Sequence, residues 1–220
     1  GMWLKGVVMK AHYNGLIPRN PFIQFHISPN VKEREYLTED ELKAVMTHEF
    51  ADSKLAYIRD IFIFASFTAL SFVDIQELTN DNIVEVNGEK WILSKRHKTK
   101  VAFQVKLLDI PLQIVERYRP MQKDNRIFPG LNYWSICKPL KRMIRECGIT
   151  KSISFHCSRH GFATLALSKG MPIESVSRVL GHTNIVTTQL YAKITTQKLD
   201  NDLTMFGDKL SKTFNGITMS

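Results

Sequence analysis

The stretch His156–Thr164, which reads HCSRHGFAT, is followed along the chain by Leu180-Gly181-His182 and by Tyr191. His156 and Arg159 are three residues apart, so they share one face where a helix begins. An arginine there offers a rigid fork of donors that matches phosphate oxygens, and a histidine beside it can move a proton. A tyrosine phenolate is a nucleophile that can attack phosphorus, and Tyr191 comes nine residues after the second motif's histidine. The pattern predicts chemistry on a phosphate ester.

Each of these residues also has an ordinary structural interpretation. A helical tyrosine between Leu190 and Ala192 is more often a core residue than a nucleophile. His156 could be an N-terminal helix residue with no catalytic part. His156 and His160 could also bind a metal ion, but the zinc-protease motif needs Glu where this chain has Cys157. The combination of residues, rather than any one of them, favours the catalytic interpretation.

With these motifs the chain resembles the tyrosine recombinases, the phage-type integrases, over roughly Leu37 to Leu210. That family carries HxxR, then LGH, then a tyrosine nine residues after the LGH histidine, and this chain has the same order and spacing. The stretch Arg159–Thr164 is similar to the family's RHTFAT, and Thr187–Tyr191 is similar to its TTQxY. The resemblance implies a mainly α (α+β) fold, a helical catalytic domain with a small three-stranded antiparallel sheet.

The resemblance also implies an enzyme that cleaves and rejoins DNA strands through a 3′-phosphotyrosyl intermediate, with no cofactor, metal or ATP. Tyr191 would attack the scissile phosphate while Arg159 stabilises charge on the non-bridging oxygens. His156 would accept or share the tyrosine proton, and His182 would hydrogen-bond the phosphate. Lys98, in the position of the family's hairpin lysine, would be the general acid for the leaving 5′-oxygen.

Ser71 is the main departure from the family pattern. The segment Thr68–Asp74 is similar to the family's TGLRxSE, but Ser71 stands where the family has another catalytic arginine. A serine hydroxyl supplies neither a charge nor a bidentate fork. Arg96 is the candidate substitute, since in an extended strand it would project from the same face as Lys98.

Other basic residues are alternatives to Arg96. Lys95, Lys100 or Arg59 could take the role instead. The whole basic run from residue 95 to residue 100 could also be a solvated hairpin tip that contacts the DNA backbone. Asp74 resembles the acidic residue of the same family segment, and we expect it to buttress the site rather than perform chemistry.

Composition limits the class of protein and its partners. The net charge of +9 and the pI near 9.5 indicate a polyanionic partner, because Lys and Arg neutralise phosphates and release counterions. The three cysteines form no CxxC pair, which argues against a disulfide framework or a zinc knuckle and fits a reducing cytoplasm. No run of eighteen apolar residues exists, so the sequence predicts no membrane span.

The chain is expected to contain a helix remnant of an upstream DNA-gripping domain (1–22), a linker (23–36), the catalytic domain (37–212) and a tail (213–220). Residues 3–17 show helical spacing that stops at Asn14-Gly15, and Thr38 is an N-cap with Glu41 in the capping-box position. Asn87-Gly88 predicts a tight hairpin turn. The remaining predicted helices cover 39–48, 54–69, 73–78, 112–118, 134–147, 156–168, 173–180, 185–193 and 197–210, with a third strand at 101–107.

The resemblance further implies double-stranded DNA as the partner, with no membrane and no small-molecule substrate. Such enzymes work as homotetramers on paired DNA sites and exchange a C-terminal segment, for which 199–210 is the candidate. A fragment of this kind is expected to be a monomer away from DNA. We expect a bacterial cytoplasmic protein, associated with the nucleoid when bound to DNA, that integrates or excises a mobile element. The alternatives are a DNA-binding protein of the same fold that lost its chemistry through Ser71, and a type IB topoisomerase-like enzyme.

Overall fold

The computed structural model describes residues 2–23, 35–98, 100–122, 124–191 and 196–213. It divides the chain into two compact units, Gly1–Glu33 and Arg34–Ser220. In the first unit, helix α1 covers Met2–Tyr13, and Gly15 follows with a φ of 71°. The helix therefore ends directly before Asn14-Gly15, where the sequence predicts its stop. Most of the predicted linker and the tail after residue 213 lie outside the described residues.

The second unit is mainly helical with one small sheet, which confirms the predicted fold class. Its helices are α2 (Glu39–Thr47), α3 (Ser53–Thr68), α4 (Phe72–Gln76), α5 (Asp109–Tyr118), α6 (Tyr133–Glu146), α7 (Cys157–Ser168), α8 (Ile173–Leu180), α9 (Val186–Gln189) and α10 (Thr196–Thr213). Its strands are β1 (Ile83–Val86), β2 (Glu89–Lys95) and β3 (Ala102–Lys106). Within the described residues, no helix combines the length and apolar character that a membrane span requires.

Helix α3 forms the centre of the core. Its residues are apolar on nearly every side, as expected for a helix surrounded by protein. It packs against α5, α6 and α7, and its fully buried Phe64 meets the Phe128 ring edge-on at 4.9 Å. Helix α3 ends at Thr68, and its C-cap residue Ala69 adopts the left-handed conformation with a φ of 55°. This end of α3 lies beneath the predicted site.

A capping box fixes the start of α2, the first helix of the second unit. The Thr38 hydroxyl accepts the N–H of Glu41 at 3.2 Å, and the Glu41 carboxylate accepts the N–H of Thr38 at 2.7 Å. The predicted capping box is confirmed, and Leu37 before it is buried.

The three strands form an antiparallel sheet in the order β1-β2-β3. Asn87 and Gly88 both have positive φ, as a two-residue type I′ turn requires, and Val86 pairs with Glu89 across it. The predicted hairpin is confirmed. Phe103 and Val105 on β3 are buried on the face towards the core, and the turn from β2 to β3 carries the basic run. The sheet thereby brings that turn to the helical site.

The predicted helix 185–193 is wrong at Leu190 and Tyr191, and its residues 192 and 193 lie outside the described part of the chain. Helix α9 is only four residues long, and Tyr191 follows it in a turn rather than standing two turns along a helix. The predicted helix at 197–210 is confirmed as part of α10.

Candidate active site

Arg159 connects the ends of two helices. His156 is the N-cap of α7, so Arg159 projects from that helix's first turn. One guanidinium nitrogen of Arg159 donates to the Ala69 carbonyl at 2.8 Å, and the other donates to the Leu180 carbonyl. Burial of the group lowers the pKa of Arg159 to about 10, with the nearby Arg96 acting in the same direction. The guanidinium is still a cation at neutral pH and is fixed in place before any ligand arrives.

His182 lies where α8 ends. Gly181 caps α8 in the left-handed conformation, with a φ of 62°, and turns the chain so that His182 faces the same region as Arg159. The Nδ1 atom of His182 lies 2.9 Å from the Thr188 hydroxyl. Burial lowers the pKa of His182 to about 4, and the charges of Arg159 and Arg96 add to that effect. The imidazole is therefore neutral at pH 7.

Tyr191 is half-buried, and its ring packs against side chains of α7 and α8. It lies against a small apolar cluster that includes Ala163 and Leu180. The His160 ring is 5.1 Å from the Tyr191 ring and 4.6 Å from the His156 ring, so the three rings follow one another in order. The predicted nucleophile is thus next to α7, the helix that carries Arg159.

Arg96 is buried beside this group, with 5% of its surface exposed. Its Nη1 donates to Asp74 Oδ2 at 2.8 Å, and its Nη2 donates to the Val179 carbonyl at 2.5 Å. The Phe103 ring centroid is 4.1 Å from the guanidinium carbon. A Cβ added to Gly181 would lie 2.9 Å from Arg96 Nε, and that nitrogen has no hydrogen-bond partner among the described residues. The side chain fills a slot between the sheet and α8.

Asp74 holds several parts of the site together. It accepts hydrogen bonds from Arg96, from the Ser71 hydroxyl at 2.8 Å, and from the His97 N–H at 3.0 Å. Burial alone would raise the pKa of Asp74, but these donors outweigh it and the pKa is lowered. Ser71 is the N-cap of α4 in a reciprocal box with Asp74. Ser71, predicted to stand where the family has an arginine, therefore orients the carboxylate that binds Arg96.

The expectation that Arg96 and Lys98 share one strand face is wrong. Strand β2 ends at Lys95, and the chain turns at Arg96 because its backbone N–H bonds to the Val101 carbonyl at 2.8 Å. Arg96 is turned inward and Lys98 is exposed. The interpretation of the basic run as a solvated tip is therefore wrong for Arg96 and fits Lys98.

The other candidate substitutes lie elsewhere. Arg59 donates to Asp60 at 2.9 Å and to the His48 carbonyl at 2.8 Å, contacts that belong to the far end of α3. Lys95 and Lys100 are both exposed. Of the four cations weighed for this role, Arg96 is the one that interacts with Arg159 and His182.

The structure brings five of the six predicted site residues into one electrostatically coupled group: Tyr191, Arg159, His156, His182 and Arg96. Lys98, the sixth, is exposed in the turn beside Arg96 and stays a prediction. Sequence reasoning missed His160 and Thr188 as contacts of this group. The buried position of Thr188 has no local signal in the sequence.

The family model described as "Phage integrase family" matches residues 35–198. The chain belongs to the phage integrase family. The resemblance inferred from the motifs is confirmed.

Two curated relatives of this integrase-family chain are tyrosine recombinases. XerA of Pyrococcus horikoshii is 32% identical over 177 residues, which cover 74% of this chain and 58% of XerA. XerD of Listeria innocua is 26% identical over 204 residues, which cover 85% of this chain and 67% of XerD. The chain thus spans roughly three-fifths to two-thirds of these relatives' lengths.

A solved structure of the Tn1549 transposon integrase in complex with a circular intermediate DNA has the same fold. Its TM-score against this chain is 0.77 at 18% sequence identity, and the match covers 92% of this chain and 76% of that one. At that identity the likeness establishes the fold.

Proposed function

We propose that this integrase-family protein is a site-specific DNA recombinase that cleaves and rejoins strands through a 3′-phosphotyrosyl bond to Tyr191. The observation that carries the proposal is the electrostatic coupling of two guanidinium groups, the half-buried Arg159 and the buried Arg96, to each other and to His182, with Tyr191 coupled to Arg159. Two cations held in place by hydrogen bonds can stabilise the charge that develops on a phosphate's non-bridging oxygens.

In the proposed cleavage step the Tyr191 oxygen attacks the scissile phosphorus and the bond to the 5′-oxygen breaks. The tyrosine proton passes to His156, and Lys98 protonates the leaving oxygen to give a 5′-hydroxyl. His182 donates a hydrogen bond to the phosphate. Attack by the 5′-hydroxyl of another strand then reverses the step. The phosphotyrosyl bond retains the energy of the phosphodiester, so the scheme requires no ATP, and in it the two arginines stabilise the phosphate's charge.

Arg96 takes the place of the family arginine in this proposal. Its support is geometric: the guanidinium is delivered from the turn after β2 to the Asp74 carboxylate, beside Arg159. In this chain Ser71 at the start of α4 hydrogen-bonds the same carboxylate. The site therefore contains two arginines although the family's arginine position contains a serine.

Duplex DNA is the proposed partner. The net charge of +9 supports it, and the Tn1549 integrase of the same fold is described in complex with DNA. A homotetramer on paired sites is proposed from α10, whose apolar side chains Leu199, Leu203 and Phe206 are all at least half exposed. A helix with such a stripe fits docking on a neighbouring copy. We place the protein in the bacterial cytoplasm, bound to the nucleoid, with integration or excision of a mobile element as its role.

The test uses a suicide DNA substrate from the ends of the protein's own element, nicked beside the scissile phosphate so that cleavage is trapped. We expect a covalent protein–DNA band on a denaturing gel that disappears in Tyr191→Phe. The band should also be lost in Arg96→Ala and retained in Lys95→Ala, the exposed neighbour. If the wild type binds that DNA but forms no covalent band, the alternative is favoured in which the protein binds DNA but has lost its chemistry through Ser71. Relaxation of supercoils without strand exchange would favour the topoisomerase alternative.

A further inference from the structure

Thr188 contacts two of the proposed site residues at once. It lies on α9 with 0% of its surface exposed. Its hydroxyl oxygen is 2.9 Å from His182 Nδ1, and its carbonyl accepts the Tyr191 N–H at 3.0 Å. A single buried residue therefore connects the histidine to the nucleophile's backbone.

The side-chain contact is unusual for a threonine on a helix. Such hydroxyls commonly donate to a carbonyl one turn earlier. Thr68 and Thr164 in this chain do so, at 2.7 Å to Phe64 and 3.1 Å to His160. The Thr188 hydroxyl instead meets an imidazole nitrogen, which indicates a role in fixing that ring.

The protonation of His182 decides what the contact means. A neutral imidazole carries one N–H and one acceptor nitrogen, and the partner of one nitrogen sets the tautomer of the ring. If His182 is to donate from Nε2 to a phosphate oxygen, its Nδ1 must be the acceptor. The Thr188 hydroxyl can supply the proton for that bond, whereas a carbonyl or carboxylate in its place would select the opposite tautomer.

We propose that Thr188 is a positioning residue whose hydroxyl donates to His182 Nδ1 and holds the ring in the tautomer that has its N–H on Nε2. The proposal rests on the proposed function, in which that N–H is donated to the scissile phosphate. Thr188 touches no reacting atom and acts through His182.

The direct test is nitrogen NMR of the chain labelled with ¹⁵N-histidine at pH 7. We expect His182, assigned with His182→Asn, to show an unprotonated Nδ1 and a protonated Nε2. The Nδ1 signal should shift in Thr188→Val, which keeps the shape but lacks the hydroxyl, and should keep its position in Thr188→Ser. A wild-type spectrum with the proton on Nδ1 would overturn the proposal, and this readout does not depend on DNA cleavage.

A second test measures the single-turnover rate of covalent complex formation on the suicide substrate. Loss of one hydrogen bond predicts that Thr188→Val is about three- to tenfold slower with unchanged DNA affinity. Thr188→Ser should restore the rate to within about twofold, and the exposed neighbour Thr187→Val is the matched control. Equal rates for Thr188→Val and the wild type would refute the proposal. Absence of any wild-type covalent complex would instead count against the proposed function. If Thr188→Val does not fold, Thr188→Ser and the wild-type spectrum still decide.

Discussion

Asp74 and Arg96 form an ion pair of 2.8 Å whose two side chains are 4% and 6% exposed, although 22 residues separate them in the sequence. Removing one partner of such a buried pair leaves the other charge without compensation, and this costs more than the pair contributes as a whole.

We therefore expect Asp74→Asn to lower the free energy of unfolding by about 3 kcal/mol. Urea denaturation followed by circular dichroism would measure it. Asp40→Asn is the matched control, because its side chain is 96% exposed, and it should change the stability by less than about 0.5 kcal/mol. Similar losses in the two variants would show that the pair does not stabilise the fold.

Arg96→Lys keeps the positive charge but removes the guanidinium geometry, so it tests which of the two the site needs. The guanidinium reaches both Asp74 and the Val179 carbonyl while lying over the Phe103 ring, and a single ammonium group cannot make all three contacts. We expect covalent complex formation to slow by at least about tenfold, with DNA affinity within about twofold of the wild type. The exposed Arg119→Lys provides the control. A wild-type rate in Arg96→Lys would mean that a point charge is sufficient.

Gly181→Ala is expected to disturb the site as well as the backbone. Gly181 and Gly148 both have positive φ, at 62° and 73°, so alanine at either position is strained by about 1 kcal/mol. An added Cβ meets nothing within 4 Å at Gly148, but lies 2.9 Å from Arg96 Nε at Gly181. Thermal denaturation should show a larger loss for Gly181→Ala, and only that variant should also cleave more slowly. Equal behaviour of the two would indicate that Arg96 moves aside freely.

We expect His182 to make the free energy of unfolding fall at acidic pH. Its folded-state pKa of about 4 is below the usual value of 6.5, so between these values the unfolded chain binds more protons than the folded one. The stability from the neutral ring is fully present above pH 6.5 and is lost as the pH falls towards 4. Because the half-buried ring is partly screened by solvent, we expect the loss from pH 7 to pH 5 to be about 1 kcal/mol smaller in His182→Asn. The free energy of unfolding would be measured by urea denaturation at pH 7 and pH 5. An equal loss of stability in the wild type and His182→Asn would contradict this prediction.

Local signals predicted most of the second unit's elements. The start of α2 depends on the Thr38–Glu41 capping box, and the β1–β2 hairpin depends on the Asn87-Gly88 turn. Each signal lies within four consecutive residues, so the sequence alone predicts it. The prediction of a helix around Tyr191 was wrong because a distant contact, not a local signal, determines the conformation there. Its apolar spacing fits a helix, but α9 ends at Gln189 and the tyrosine ring packs on α7, a contact that no local pattern encodes.

The site was predictable where a motif spans it and unpredictable where it depends on distant contacts. His156, Arg159 and His182 follow from spacing in the chain. The inward turn of Arg96 does not, since hydrophobic patterning places an arginine on the surface and the stabilising Asp74 is far away in the sequence. Ser71 and Asp74 three residues apart did offer a capping signal, which explains how a serine is accommodated there.

The turn after β2 carries Arg96 and Lys98 two residues apart, one directed inward and one outward. A single deletion in this turn would displace both cations together. Conversely, the segment 95–101 could be grafted as one block into a relative whose own arginine has been removed. Both cations that the proposal takes from this turn, the buried Arg96 and the exposed Lys98, therefore depend on the geometry of one short loop.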